Sequence, residues 1–192
     1  MDGAMNKIPT LFIRDESNMS RVTRELTPGC EWVLAGEGAA TRKWDGTNVR
    51  VTVEGGSLIK LEKRRNPTRD EKAAGAEPGY VDANRSDPSD KHMFAAVDAT
   101  DLTAWPDGAW PCEAIGPKIQ GGTDSSVPAL IGFALPNFPR GLAIVGAEPR
   151  SFDELNEYLG RVEWEGIVFH HPDGRMAKIK RRDFGHRWPV KR

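Results

Sequence analysis

The stretch Asn48-Val49-Arg50-Val51-Thr52-Val53-Glu54-Gly55-Gly56-Ser57-Leu58-Ile59-Lys60-Leu61-Glu62-Lys63 decides the fold class. Its first seven residues alternate. Val49, Val51 and Val53 face one way while Asn48, Arg50, Thr52 and Glu54 face the other, which is the period of a half-buried strand. Gly55-Gly56 is a two-residue hairpin signal, so 57–63 reads as the returning strand. A second hairpin lies further on: a strand over 162–170, a Pro172-Asp173-Gly174 turn and a strand over 176–180. Helical signals are fewer. Ser151-Phe152-Asp153-Glu154 is a capping box, Phe152, Leu155 and Leu159 mark one helical face, and Gly160 supplies the stop. Residues 91–97 read as a short helix and 110–115 as a buried strand entered through the turn at 106–108. The segment 66–88, rich in Pro, Gly, Asp and Lys, reads as a long exposed loop. The apolar pieces of 123–149 are broken by Pro128, Pro136, Pro139 and Pro149 and receive no element. Hairpins with interspersed helices imply an α+β domain built on antiparallel sheets.

Composition narrows the class. A chain of 192 residues is expected to form one domain over 1–192, large enough for a core without disulfide or metal staples. No stretch approaches the roughly 18 apolar residues of a spanning helix, so no membrane partner is expected. The N-terminus lacks the apolar run of a secretory signal. Cys30 and Cys112 form no C-x-x-C pair, which fits a reducing, cytoplasmic setting. The balance of 27 Lys plus Arg against 28 Asp plus Glu conceals a gradient. Lysines and arginines crowd 173–192, and a second basic cluster comprises Lys60, Lys63, Arg64, Arg65, Arg69 and Lys72. Such asymmetry points weakly to a phosphate-bearing ligand; on charge alone, a solvated face is the plainer reading.

Four strings carry chemistry-bearing residues. In Lys43-Trp44-Asp45-Gly46 a nucleophilic lysine needs a neutral amine, hence burial or neighbouring cations such as Arg42. A K-x-D-G string arises by chance in roughly one chain in twenty of this size, so alone it reads as a surface turn. Glu165-Gly166-Ile167-Val168-Phe169 places a carboxylate at the head of a core strand, costly unless paired or metal-bound; the bland alternative is a wet strand end. Lys178 and Lys180 share one strand face, explained by a polyanion between them or by an edge strand guarding against aggregation. Counting back from the turn sets Glu165 opposite residues near 180. Glu113-Ala114-Ile115-Gly116-Pro117-Lys118-Ile119-Gln120 ends a strand on an acid.

Taken together and in this order, the strings resemble the motifs of the covalent nucleotidyltransferase superfamily, which comprises ATP-dependent DNA and RNA ligases and mRNA capping enzymes. Lys43-Trp44-Asp45-Gly46 looks like motif I, Glu113 like the motif III acid, Glu165-Gly166-Ile167-Val168-Phe169 like motif IV, and Lys178 with Lys180 like motif V. The motif Ia arginine falls on Arg65, with Arg64 second. Gly46-Thr47-Asn48 and the string from Glu113 to Gln120 are similar to the editing-ligase-like branch of RNA ligases. The stretches at 7–12 and 178–185 look like a group of small single-domain RNA ligases. The resemblance covers about 7–188. It implies a nucleotidyltransferase (ATP-grasp-like) core of antiparallel sheets flanked by helices, with no oligonucleotide-binding barrel. It also implies an ATP-dependent RNA ligase joining 5′-phosphate and 3′-hydroxyl RNA ends through a lysyl-adenylate, alongside an end-healing kinase or phosphatase. Lys43, Arg65, Lys178 and Lys180 would be catalytic. Arg42, Asn48, Arg64, Glu113 and Glu165 would bind nucleotide. Glu165, Glu113 and Asp45 would hold Mg²⁺ or Mn²⁺, and Arg181, Arg182 and Arg187 would contact RNA. Phe133, Phe138 or Ile144 would supply the contact to adenine. The alternatives are a DNA ligase or capping guanylyltransferase, or a non-catalytic RNA-binding repair module.

Overall fold

The computed structural model describes residues 7–122, 124–132, 135 and 148–189. In chain order the elements are β1 (Phe12–Asp15), β2 (Asn18–Leu26), α1 (Glu31–Leu34), β3 (Ala39–Lys43), β4 (Thr47–Glu54), β5 (Ser57–Arg65), α2 (Arg69–Ala73), β6 (Gly79–Asp82), α3 (Lys91–Asp98), β7 (Gly108–Ile115), β8 (Ala129–Gly132), α4 (Phe152–Arg161), β9 (Gly166–His170) and β10 (Met176–Lys180). All pairs between these strands are antiparallel, so the protein is α+β as the hairpin signals require. Among the described residues, no helix is long and apolar enough to cross a membrane.

The chain divides into two compact units. The central unit holds the described residues of 45–135 and is a five-stranded sheet in the order β6-β5-β4-β7-β8. The alternation of β4 sets its two faces. Val49, Val51 and Val53 are buried with Leu61 of β5, Cys112 and Ala114 of β7, Leu130 of β8, and Met93, Phe94 and Val97 of α3. Each such aliphatic side chain contributes roughly 1.5–3 kcal/mol by leaving water. The opposite face is polar.

The terminal unit holds 7–44 and 148–189. Its main sheet has the order β10-β9-β3, and β1 and β2 form a separate hairpin. Ala40, Ile167, Phe169, Ala177 and Ile179 form one face of the main sheet and pack with Leu155 and Leu159 of α4. The capping box of α4 forms as expected: the Ser151 hydroxyl accepts from the Glu154 amide, and Glu154 accepts from the Ser151 amide. Phe12, Phe152 and Phe184 meet edge to face, which ties α4 to β1.

Several boundaries differ from the sequence reading, and β8 lies in the 123–149 stretch that received no element. Residues 66–88 contain α2 and β6 instead of a plain loop. Thr68 and Glu71 close a capping box that satisfies the first amides of α2, and β6 takes its hydrogen bonds from the edge of β5. Gly160 lies inside α4, packed beneath the His186 ring, and the helix ends one residue later. The strand expected from 162 begins at Gly166.

Candidate active site

The terminal sheet brings three lysines to one face. Its register sets Lys43 of β3 and Lys180 of β10 on either side of Gly166 of β9, and sets Thr41 and Lys178 on either side of Val168. Residues in one cross-strand row share a face, so Lys43, Lys178 and Lys180 all stand opposite the apolar side. Gly166 is required there: a Cβ on it would collide with the Ile179 carbonyl and lie 2.9 Å from Lys180 Cα. Glu165, one residue before β9, reaches both lysines that flank the row. Its Oε2 accepts from Lys43 Nζ and its Oε1 pairs with Lys180 Nζ at 2.5 Å. Lys43 Nζ also donates to the Trp44 carbonyl at 3.1 Å.

The electrostatics divide these groups. Burial raises the pKa of the Glu165 carboxyl, but the Lys43 and Lys180 ammoniums outweigh it and hold the group below the usual carboxylate range. Lys178 has no such partner; among the described residues no carboxylate pairs with its amine. Burial first, then Lys180, Lys43 and Lys7, bring its pKa down to about 8. The segment before β1 lies alongside it: Lys178 donates its amide to Pro9 O, and Leu11 donates to Lys178 O. The cluster therefore presents more cationic than anionic groups, an arrangement suited to phosphate.

In the central unit a second polar group lies on the sheet face opposite the valines. Asn48 and Glu113 are direct cross-strand partners. Glu113 Oε1 accepts from the Gly46 amide at 3.0 Å, and Asn48 Oδ1 accepts from Tyr80 OH at 2.8 Å. Arg50 lies over the Tyr80 ring at 4.6 Å and is held by Glu62 through two hydrogen bonds. Arg64 pairs with Tyr80 across β5 and β6 and so shares this face. Arg65, placed first by the sequence reading, points to the other side and is held by both oxygens of Glu71 at 2.8 Å. Strand parity thus sets Arg64, not Arg65, beside Asn48 and Glu113.

Arg42 alternates onto the apolar face of β3, 4.0 Å from the Trp44 ring and 5.6 Å from that of Trp164. Arg181 is buried and donates to Val162 O, while Arg182 and Arg187 are exposed. Asp45 donates its amide to Asp124 Oδ2 at 2.5 Å. Phe133, Phe138 and Ile144 lie outside the described residues. The sequence reading missed Tyr80 and Asp124 and quoted Gln120 without a role; its side-chain amide donates to Gly46 O at 3.4 Å. Tyr80 was hidden in a segment read as loop, and β6 exists only because β5 offers it an edge.

Carboxylates are the donor type that Mg²⁺ or Mn²⁺ takes, but among the described residues no group of three or more His, Cys, Asp or Glu is placed to hold a metal ion. Both Glu165 oxygens hold lysine ammoniums, so a cation bound there would have to displace one of them. No protein-family model matches the chain, and no curated protein is significantly similar to it.

Proposed function

We propose that the protein is an ATP-dependent RNA ligase of the covalent nucleotidyltransferase type. The observation that carries this reading is the convergence of Lys43, Lys178 and Lys180 around Glu165, since Lys43 and Glu165 lie 122 residues apart in sequence. A surface turn alone would not bring these groups together.

In this reading the Lys43 ammonium first loses a proton to solvent, and the neutral amine attacks the α-phosphorus of ATP, forming a phosphoramide bond and expelling pyrophosphate. The adenylyl group then passes to an RNA 5′-phosphate, and a 3′-hydroxyl attacks that activated end and releases AMP. Each step builds negative charge on phosphoryl oxygens, and fixed cations preorganised in a half-buried setting stabilise it. Lys178 and Lys180 suit that role. Glu165 holds Lys43 and Lys180 in one row and so fixes the position of the nucleophile. Asn48, Glu113 and Arg64 are the proposed ribose and nucleotide contacts of the central unit, with Tyr80 fixing the Asn48 amide. A divalent cation held by Glu165 or Glu113 would offset phosphate charge.

The test is covalent labelling. Wild-type protein incubated with labelled ATP and Mg²⁺ or Mn²⁺ is expected to gain AMP on Lys43, seen by mass spectrometry, and Lys43→Ala to gain none. Labelling of Lys43→Ala at the wild-type level would sink the assignment. Preference for GTP would favour a capping guanylyltransferase, and sealing of nicked DNA over RNA a DNA ligase. RNA binding without any adenylate would leave a non-catalytic repair module.

A further inference from the structure

Most described arginines are neutralised by carboxylates. Arg24 pairs with Asp153 at 2.6 Å, Arg85 with Asp98 at 2.8 Å and Arg175 with Asp173 at 2.8 Å. Arg21, Arg182 and Arg187 are exposed, and among the described residues none has a carboxylate in ion-pair reach. Arg182 lies in the 3-10 turn Arg181–Phe184 of the terminal unit, Arg187 follows that turn, and Arg21 reaches it from β2.

The turn is built to leave its charge uncompensated. Its one acid, Asp183, is buried and committed elsewhere: Oδ1 to Arg14 at 2.7 Å and Oδ2 to the Lys180 amide at 2.8 Å. Arg21 reaches the turn from β2 and donates to Phe184 O at 2.7 Å. A carbonyl accepts one N–H but cancels no charge, and a guanidinium has five donors. Gly185 makes this contact feasible. Its φ of +86° favours glycine, and a Cβ there would collide with the Arg21 guanidinium. The turn begins where β10 ends, directly after Lys180, whose amine holds Glu165.

We infer that Arg21, Arg182 and Arg187 form a backbone-gripping surface for single-stranded RNA, taking the phosphates next to the 5′ end presented to the lysines. This rests on the ligase reading for the identity of the strand. It adds Arg21, which no sequence motif singled out, and removes Arg181, which is buried. Such contacts position a strand without reading its bases.

The experiment measures the affinity of the full chain for a short 5′-phosphorylated single-stranded RNA across a salt series. Arg21→Ala, Arg182→Ala and Arg187→Ala are each expected to weaken binding several-fold. Each should also flatten the plot of log affinity against log salt by about 0.7, the share of one phosphate on a single strand. Arg21→Lys should restore the slope, which a merely structural role for Arg21 would not require. Arg85→Ala, which removes a paired arginine, should match wild type in both. Unchanged slopes in all three alanine variants, an equal loss in Arg85→Ala, or no RNA binding by wild type would overturn the inference. AMP labelling of the wild-type chain is scored separately. A labelled chain with unchanged slopes refutes the surface alone, whereas an unlabelled chain refutes the ligase reading while the slopes still judge the surface.

Discussion

Lys178 concentrates the cost of the site in one amine. Its pKa of about 8 lies below the lysine value of 10.5 because it is buried, then because Lys180, Lys43 and Lys7 stand near. The sign follows from linkage. Between about pH 8 and 10.5 the unfolded chain holds the proton that the folded chain has released, so stability rises with pH across that window. Below it, both states carry the charge and the folded state bears the penalty. Lys178→Met should therefore melt higher than wild type at pH 7, by an amount on the order of 1–2 kcal/mol once partial exposure is discounted. The gain should shrink as pH rises past 8, read from melting temperatures at pH 7 and 9.5, while AMP labelling falls sharply at both. A gain that does not shrink with pH would mean the penalty is steric. At this scale the sequence was informative about identity and weaker on direction. The faces of Lys178, Lys180 and Glu165 follow from strand periodicity and the turn at 172–174, whereas Lys43 was named by its likeness to motif I. The sequence reading ranks Arg65 ahead of Arg64; their faces depend on the register of β4 and β5 and on the presence of β6.

The row Lys43–Gly166–Lys180 is the element on which the cluster depends. Gly166→Ala would push a methyl group into the Ile179 carbonyl and spread β9 from β10. The expected cost is about 2–3 kcal/mol, in the upper part of the usual range for a point change. It is measured by urea unfolding and accompanied by loss of AMP labelling. Full labelling with normal stability would show that the row tolerates a side chain. Elements defined by local chemistry were legible: the Gly55-Gly56 hairpin, the Ser151 capping box and the strand Met176–Lys180. β6 was not, because Gly79–Asp82 has no strand pattern of its own and is recruited by the open edge of β5. The start of β9 was placed too early for a related reason. Val162 to Glu165 look extended, yet the ladder begins only where both neighbouring strands are present.

At the scale of the molecule, ion pairs set the acid limit of stability. Carboxylates in both units are held below their ordinary values: Glu71 at about 2 by Arg65 and the Thr68 amide, Asp173 at about 2 chiefly by the Arg175 amide. Glu62 is lowered mainly by Arg50, and Glu165 by Lys43 and Lys180 against its burial. Groups with lowered folded values stabilise the protein above their unfolded values, near 4–4.5, and lose that contribution as pH falls through the folded ones. The urea midpoint should therefore be flat from pH 7 to about 5 and decline between about 4.5 and 2. Added salt should erode the share of exposed Glu71 and Asp173 more than that of buried Glu165. A midpoint unchanged at pH 3 would contradict this. The order of the chain has a consequence in time. The strand bearing Lys43 is made before β4 to β8, and its partners β9 and β10 follow them. The strands of the central unit find all their partners within 47–132 and can pair while synthesis continues. A nascent chain interrupted before residue 165 therefore carries the proposed nucleophile without Glu165, Lys178 or Lys180. On the ligase proposal, such a chain gains its nucleotide only after β9 and β10 have been made.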